Sequence, residues 1–220
     1  MSTFNSEMRV ILVGGSSHAG KSTLARSLAT TLGWSYRSTD QLARHPGRPW
    51  VGAYGRAVPD HVAEHYRNFP VDALLSDVLS HYKKNVMPQV ETIVRSHAAD
   101  PSMECLVLEG SALWPEFVTD LVGENGIKAI WLTAGEPLFR KRILNESNFD
   151  NASAPEKHLI QKFLERTLLY DKRMREEVER FGLMCTDIES VSTVGELSEK
   201  CIGLIADSGP GENQKEADTL

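Results

Sequence analysis

The stretch that decides the fold is residues 9–23, RVILVGGSSHAGKST. It opens with a run of branched apolar residues, which favours a buried strand. It then turns bare, with Gly14, Gly15, Ser16, Ser17, Ala19 and Gly20, and ends on the cation Lys21. Gly15 to Ser22 satisfies G-x-x-x-x-G-K-[ST], and the pattern has physical content only between a strand and a helix. Small residues let the backbone N–H groups of Gly15, Ser16, Ser17, His18, Ala19, Gly20, Lys21, Ser22 and Thr23 wrap a phosphate chain. A helix beginning at Lys21 would aim the positive end of its dipole at the same anion. Lys21 adds a point charge at the β- and γ-phosphates, and the Ser22 hydroxyl is a ligand for Mg²⁺.

The flanking pattern supplies that context. Leu24, Leu28 and Leu32 recur at spacing four, with Ala25 and Ala29 beside them, and Gly33 is placed to end the helix. Further strands are expected at 34–38, 105–110, 127–132 and 183–188. Helical patterns begin near Pro115 and Pro137, run over about 155–181, and start again at Thr193, where T-V-G-E reads as a capping box. Strands alternating with helices imply a parallel sheet covered on both faces.

The expected organisation is one domain over residues 1–206, with a helical cap insertion at about 41–100, a short lid at about 144–156, and a polar, disordered tail at 207–220. In the insertion, LARHPGRPWVGAYGRAVPDH reads as a structured loop. Two helical patterns follow it, one through Val71, Leu75, Val78 and Tyr82, the other through Val86, Val90, Val94 and His97.

Composition narrows the function. The chain has 220 residues, 41% of them hydrophobic, and a formal net charge of −6. That charge argues against a broad nucleic-acid face, and no apolar run approaches a membrane span. Cys105, Cys185 and Cys201 sit among apolar residues without metal-ligand spacing, so buried reduced thiols are expected. The expectation is a cytoplasmic protein, monomer or homodimer, with no nucleic-acid or membrane partner.

Two acids fall at strand ends, where a parallel sheet opens its ligand crevice. Glu109 either orients a Mg²⁺-bound water or the acceptor, or is a buried acid bonded to the phosphate loop. Asp40 faces the crevice or caps the helix that follows. Arg44, His45 and Arg48 follow Asp40 on a Pro/Gly-stiffened loop and suit an anionic acceptor, since arginine forks match phosphate and carboxylate. Trp114 either lines the acceptor pocket or packs in the core.

LVGGSSHAGKSTLARSLATTLGWSYRSTDQL resembles the opening of small-molecule P-loop kinases, the shikimate, gluconate and nucleoside monophosphate kinase group. VLEGSALWP resembles the third-strand segment of 2-phosphoglycerate kinase-like proteins. STDQLARHPGRPW resembles bacterial and cyanobacterial ATP-binding proteins known only as kinase-like. The resemblance covers residues 8–205 in order of elements. It implies a three-layer α/β P-loop NTPase fold with a five-stranded parallel sheet, ATP and Mg²⁺ as cofactors, and a small, metabolite-type acceptor. It makes Asp40 the carboxylate that holds the acceptor hydroxyl or a Mg²⁺ water, and the candidate base.

The resemblance also implies that arginines flanking the lid serve the transferring phosphoryl group and the nucleotide. Arg142 is the candidate for the first role and Arg140 for the second, with Arg166 and Arg173 as further candidates. No N-K-x-D guanine signature is present, which favours ATP over GTP. Two other readings stay open: an ATP-binding regulatory switch with a protein partner, and a toxin- or antibiotic-type phosphotransferase on the same scaffold.

Overall fold

The structure is a computed structural model that describes residues 8–43, 47–50 and 58–207. Its centre is a sheet of β1 (Val10–Gly15), β2 (Ser35–Ser38), β3 (Leu106–Glu109), β4 (Ile127–Thr133) and β5 (Cys185–Asp187). The strands are all parallel, in the order β2-β3-β1-β4-β5. The strand carrying the phosphate-loop motif is therefore central, with Val13 paired to Glu109 on one side and Ile130 on the other.

The alternation of β1 explains its burial. Ile11 and Val13 belong to one hydrophobic cluster, Val10 and Leu12 to the other, and all four are fully buried. Side chains of period two thus feed both faces of the sheet. One face is covered by Leu24 and Leu28 of α1 (Lys21–Leu32) and by Leu197, Cys201 and Ile205 of α8 (Val194–Asp207). The other is covered by Val90 and Val94 of α4 (Met87–Ala99) and by Val118 and Leu121 of α5 (Pro115–Val122). α6 (Glu136–Glu146) adds Phe139 and Ile143 to the first cluster. α7 (Ala154–Arg180), about 40 Å long at 1.5 Å per residue, serves both. Its Ile160, Phe163 and Leu164 pack in the first cluster, and its Tyr170, Met174 and Val178 in the second.

The segment between β2 and β3 differs in one respect from the sequence reading. Three helices occur there, since Asp60–Asn68 forms α2, ahead of α3 (Val71–His81) and α4. Its pattern is short, but Val62, Ala63 and Tyr66 fall on one face and are buried. α3 and α4 are joined by a π-helical turn, Tyr82–Val86, in which Met87 N–H reaches the Tyr82 carbonyl. Pro88 accounts for it: proline has no N–H to give the carbonyl four residues back and its ring crowds that carbonyl, so the turn widens.

Helix ends follow the expected chemistry. Gly33 closes α1 in the left-handed region at φ 68°. Thr193 Oγ1 accepts the Glu196 N–H at 3.1 Å, and the Glu196 carboxylate accepts the Ser192 N–H at 2.9 Å. Residues 144–156 hold the last turn of α6, a short 3₁₀ turn (Phe149–Asn151) and the start of α7. Beyond Asp207, which ends α8, the tail expectation lies outside the described residues. Of the three free cysteines only Cys201 is buried; Cys105 is half-buried, and Cys185 is exposed because it sits on the edge strand β5.

Candidate nucleotide and acceptor site

β1 ends on Gly14 and Gly15 at the carboxyl edge of the sheet, and α1 begins six residues later. Gly14 is required by packing, because a Cβ there would overlap the Trp131 indole. That indole is itself fixed, its Nε1–H donating to the Leu113 carbonyl at 2.9 Å. Gly20 is the N-cap of α1 and has no side chain to offer, so the first N–H groups of the helix are left to an anion.

Lys21 is buried, and its Nζ donates to the Ser16 carbonyl at 2.7 Å, folded back along the loop. Burial lowers its pKa, while the Glu109 and Asp40 carboxylates raise it. Ser22 Oγ donates to Glu109 Oε1 at 3.0 Å, and the Tyr36 hydroxyl donates to the same oxygen at 3.0 Å. Glu109 is only 2% exposed, so both readings of this acid meet: it is buried and tied to the phosphate loop, yet it lines the cavity beside Ser22. Tyr36 carries no motif, and the pattern of its short strand does not mark it. What brings its hydroxyl to Glu109 is the pairing of β2 with β3, which sets Ser38 opposite Glu109.

His18 is the one non-glycine residue of the loop held in the left-handed region, at φ 65°. Its ring packs edge-on to Phe163, with centroids 5.8 Å apart, and lies 6.1 Å from Trp50. Its Nδ1 meets Ser17 Oγ at 3.0 Å and its Nε2 meets Glu146 Oε2 at 2.8 Å. Burial drives its pKa down to about 3, and the Arg48, Lys21 and Arg142 cations push the same way. The ring is therefore neutral at physiological pH in spite of the Glu146 carboxylate. As the neutral tautomer it donates from Nε2 to Glu146 and accepts from Ser17 at Nδ1.

These residues line a cavity of about 850 Å³, within the range of small-ligand sites. Ser17 to Thr23, Asp40, Glu109, Ser111 and Arg48 line it. Arg142, Asn145 and Glu146 of α6 join them, and Leu138, Ile188, Val191, Val194 and Leu197 supply apolar surface. Arg142 Nη1 donates to the His18 carbonyl at 2.6 Å. Arg48 pairs with Glu146 and lies 5.9 Å above the Trp50 ring. Glu146 thus ties the loop histidine to an arginine from the insertion, a role that no local sequence pattern marks.

Asp40 lies within the turn Thr39–Gln41, whose N-cap is Ser38; the Ser38 hydroxyl accepts the Asp40 N–H at 3.3 Å. The capping role thus falls to Ser38, and the exposed Asp40 lines the cavity.

Two expected site residues are elsewhere. Trp114 is 4% exposed and packs edge-on to Tyr170 at 5.0 Å, in the core under α5, because the chain turns inward at Pro115. Arg140 points away from the loop and pairs with Glu136 at 2.7 Å on the outer face of α6; it sits two residues before Arg142, about 200° around the helix. Arg173 pairs with Asp72 at 3.0 Å outside the cavity. Arg44 and His45 lie outside the described residues. Among the described residues no group of three His, Cys, Asp or Glu side chains is arranged to hold a metal ion, and no helix is long and apolar enough to cross a membrane.

No family model matches the chain, and no curated protein matches it. Solved structures do. A gluconokinase from Sinorhizobium meliloti 1021 superposes with a TM-score of 0.50 at 19% identity, over 90% of this chain and 91% of that one. A shikimate kinase from Acinetobacter baumannii in complex with shikimate gives 0.44 at 19% identity, over 90% and 93%. A deoxyadenosine kinase from M. mycoides with bound dATP gives 0.48 at 13% identity, over 88% and 97%. At these identities the likeness is one of fold, and the chain has the three-layer α/β P-loop fold that the gluconokinase also has.

Proposed function

We propose that the protein transfers the γ-phosphoryl group of ATP to a small-molecule acceptor. The observation that carries this reading is the gathering of Lys21, Ser22, Asp40, Glu109, Arg48 and Arg142 around one cavity at the carboxyl edge of the sheet. Phosphoryl transfer needs positioning and charge neutralisation more than covalent chemistry, and these residues supply both.

The backbone of residues 15–23 cradles the phosphates. Lys21 leaves the Ser16 carbonyl for them, and its buried ammonium acts in a poorly screened environment. The apolar surface of Leu138, Ile188, Val191 and Val194 suits the faces of a purine. Arg142, already held on the phosphate loop, is the arginine best placed to stabilise charge on the transferring group, with Arg48, paired to Glu146 of the same helix as Arg142, beside it. Asp40 holds the acceptor hydroxyl and takes its proton.

The donor set fits Mg²⁺. A hard cation at this edge would take the Ser22 hydroxyl directly and waters oriented by Glu109 and Asp40, with the remaining oxygens from the nucleotide. A dedicated cage of three protein acids is not needed for such a site. The ion would neutralise phosphate charge. Residues of the 144–156 segment, anchored through Glu146, act as the lid, and the insertion of about 41–100, which brings Arg48 to the cavity, forms the cap over the acceptor.

The test is transfer from γ-labelled ATP with and without a deproteinised metabolite extract. Label moving to a new small molecule in the wild type, and lost in Lys21→Ala, supports the reading. Hydrolysis at one slow rate whatever is added contradicts it and favours the switch reading.

A further inference from the structure

α7 carries a stripe of aromatic and cationic residues next to the cavity-lining His18 and Ser111. Phe163, Arg166 and Tyr170 share one face of that helix by their spacing of three and four. Both ends of this stripe touch residues that line the cavity. Phe163 packs on His18 and, at 4.8 Å, on Trp50, while the Tyr170 hydroxyl donates to the carbonyl of Ser111 at 2.6 Å. Ser111 itself lines the cavity. Phe163 to Tyr170 spans about 10 Å of helix, and Arg166 lies between them.

The Arg166 guanidinium lies 4.7 Å from the Phe163 ring centroid and 5.5 Å from that of Tyr66 on α2. Its Nη1 is buried with no hydrogen-bond partner, and no carboxylate lies within ion-pairing distance among the described residues. The Tyr66 hydroxyl, in a residue that is 0% exposed, meets the Arg166 guanidinium but has no acceptor for its own proton among the described residues. A half-buried guanidinium with one buried, unused donor, beside a buried hydroxyl whose proton has no acceptor, is costly in a finished interior. Tyr82, at the end of α3, is pushed up to about 12 mainly by burial, with Arg166 opposing and Asp40 reinforcing the rise. Its phenol thus feels both the guanidinium and the Asp40 carboxylate, which ties this junction to the candidate base.

We infer that Arg166 and the Tyr66 hydroxyl form a binding site for an anionic oxygen group, carboxylate or phosphate, of the phosphoryl acceptor, held at the α2–α7 junction. Two donors converging between aromatic rings match the fork geometry of such an anion, and the rings exclude water that would compete for it. The assignment deepens the phosphoryl-transfer reading and rests on it for the role of the bound molecule.

The experiment measures binding without turnover, so it can fail or succeed apart from that reading. The full chain is saturated with Mg²⁺ and a non-hydrolysable ATP analogue bearing all three phosphates, which occupies the phosphate loop. Inorganic phosphate and malonate are then titrated calorimetrically in separate arms, which distinguish a phosphate from a carboxylate site. The expected result is saturable binding of at least one anion to the wild type, weakened about tenfold or more in Arg166→Met, as for loss of a charge-assisted bond. Tyr66→Phe, which removes only the hydroxyl, gives a smaller loss in the same direction. A cooperative thermal transition shows that the Met variant folds; if it does not fold, the Phe variant decides alone. Absence of binding by both anions, or equal binding by the wild type and the folded variants, overturns the inference.

Discussion

The Ser22 hydroxyl and the Glu109 carboxylate, 87 residues apart in sequence, are joined by a 3.0 Å hydrogen bond at the heart of the cavity. The bond locks the first turn of α1 to the end of β3 and sets two oxygen donors side by side. Replacing the acid leaves Ser22 and Tyr36 without their common acceptor charge and removes the group that would orient metal-bound water. Glu109→Gln is therefore expected to raise the Mg²⁺ concentration needed for half-maximal transfer by about tenfold or more, the usual scale for loss of an outer-shell partner. Transfer rate against Mg²⁺ concentration checks it.

His18 makes stability depend on pH. Its folded pKa, about 3, lies below its ordinary value of 6.5. The unfolded chain therefore takes up a proton in that interval that the folded chain refuses. Its contribution is complete above pH 6.5 and is lost as pH falls toward 3. Asp171 acts in the opposite sense, since burial raises it to about 6 and favours its protonated form in the folded chain. Comparison with His18→Asn, whose side chain tolerates the left-handed backbone, cancels Asp171. The wild type is expected to lose more stability than the variant between pH 6.5 and pH 4, read by urea denaturation at each pH.

Gly110 holds the ends of β2 and β3 together. A Cβ at this position would overlap the Thr39 side chain, next to Asp40. Gly110→Ala must push Thr39 and the Asp40 turn outward, at a cost of about 1–3 kcal/mol typical of overpacking. Both a lowered thermal midpoint and a loss of transfer are expected, whereas Gly203→Ala, where nothing lies within 4 Å, lowers neither.

The two arginines of α6 separate cleanly. Arg142 bonds the phosphate loop, while Arg140 bonds Glu136 on the exposed face. Arg142→Ala is expected to lower the transfer rate on the order of 10²-fold, the scale for losing one donor to developing charge. Arg140→Ala removes only a surface pair and is expected to stay within about twofold. Single-turnover rates for both variants decide it.

Much of this was legible because β1, the loop and α1 are local. Apolar run, small residues and a spacing of four encode strand, turn and helix without help from distant chain, and Gly33 ends the helix where expected. Asp40 and Glu109 were legible as acids at strand ends. What joins them is not: Tyr36 reaches Glu109 only through parallel pairing of β2 with β3, which no local pattern specifies. Arg140 falls outside the cavity, and Trp114 takes the core alternative, for a related reason. A cation near the right helix and an aromatic after the right strand carry no sign of which way they turn. Arg140 faces Glu136 one turn back, and Trp114 faces Tyr170. Arg166 was visible only as a lid-flanking cation, because its idle donor and its neighbour Tyr66 meet through the packing of α2 on α7.

The proposed role of Asp40 is chiefly on the acceptor, with the orienting of a metal-bound water secondary. It is tested most directly by single-turnover transfer from γ-labelled ATP in the wild type and Asp40→Asn, alongside the affinity of each for MgATP. The expected result is that the variant binds MgATP within about threefold of wild type while transfer to acceptor falls on the order of 10²–10⁴-fold, the span of general-base catalysis. Transfer at the wild-type rate by Asp40→Asn would contradict it.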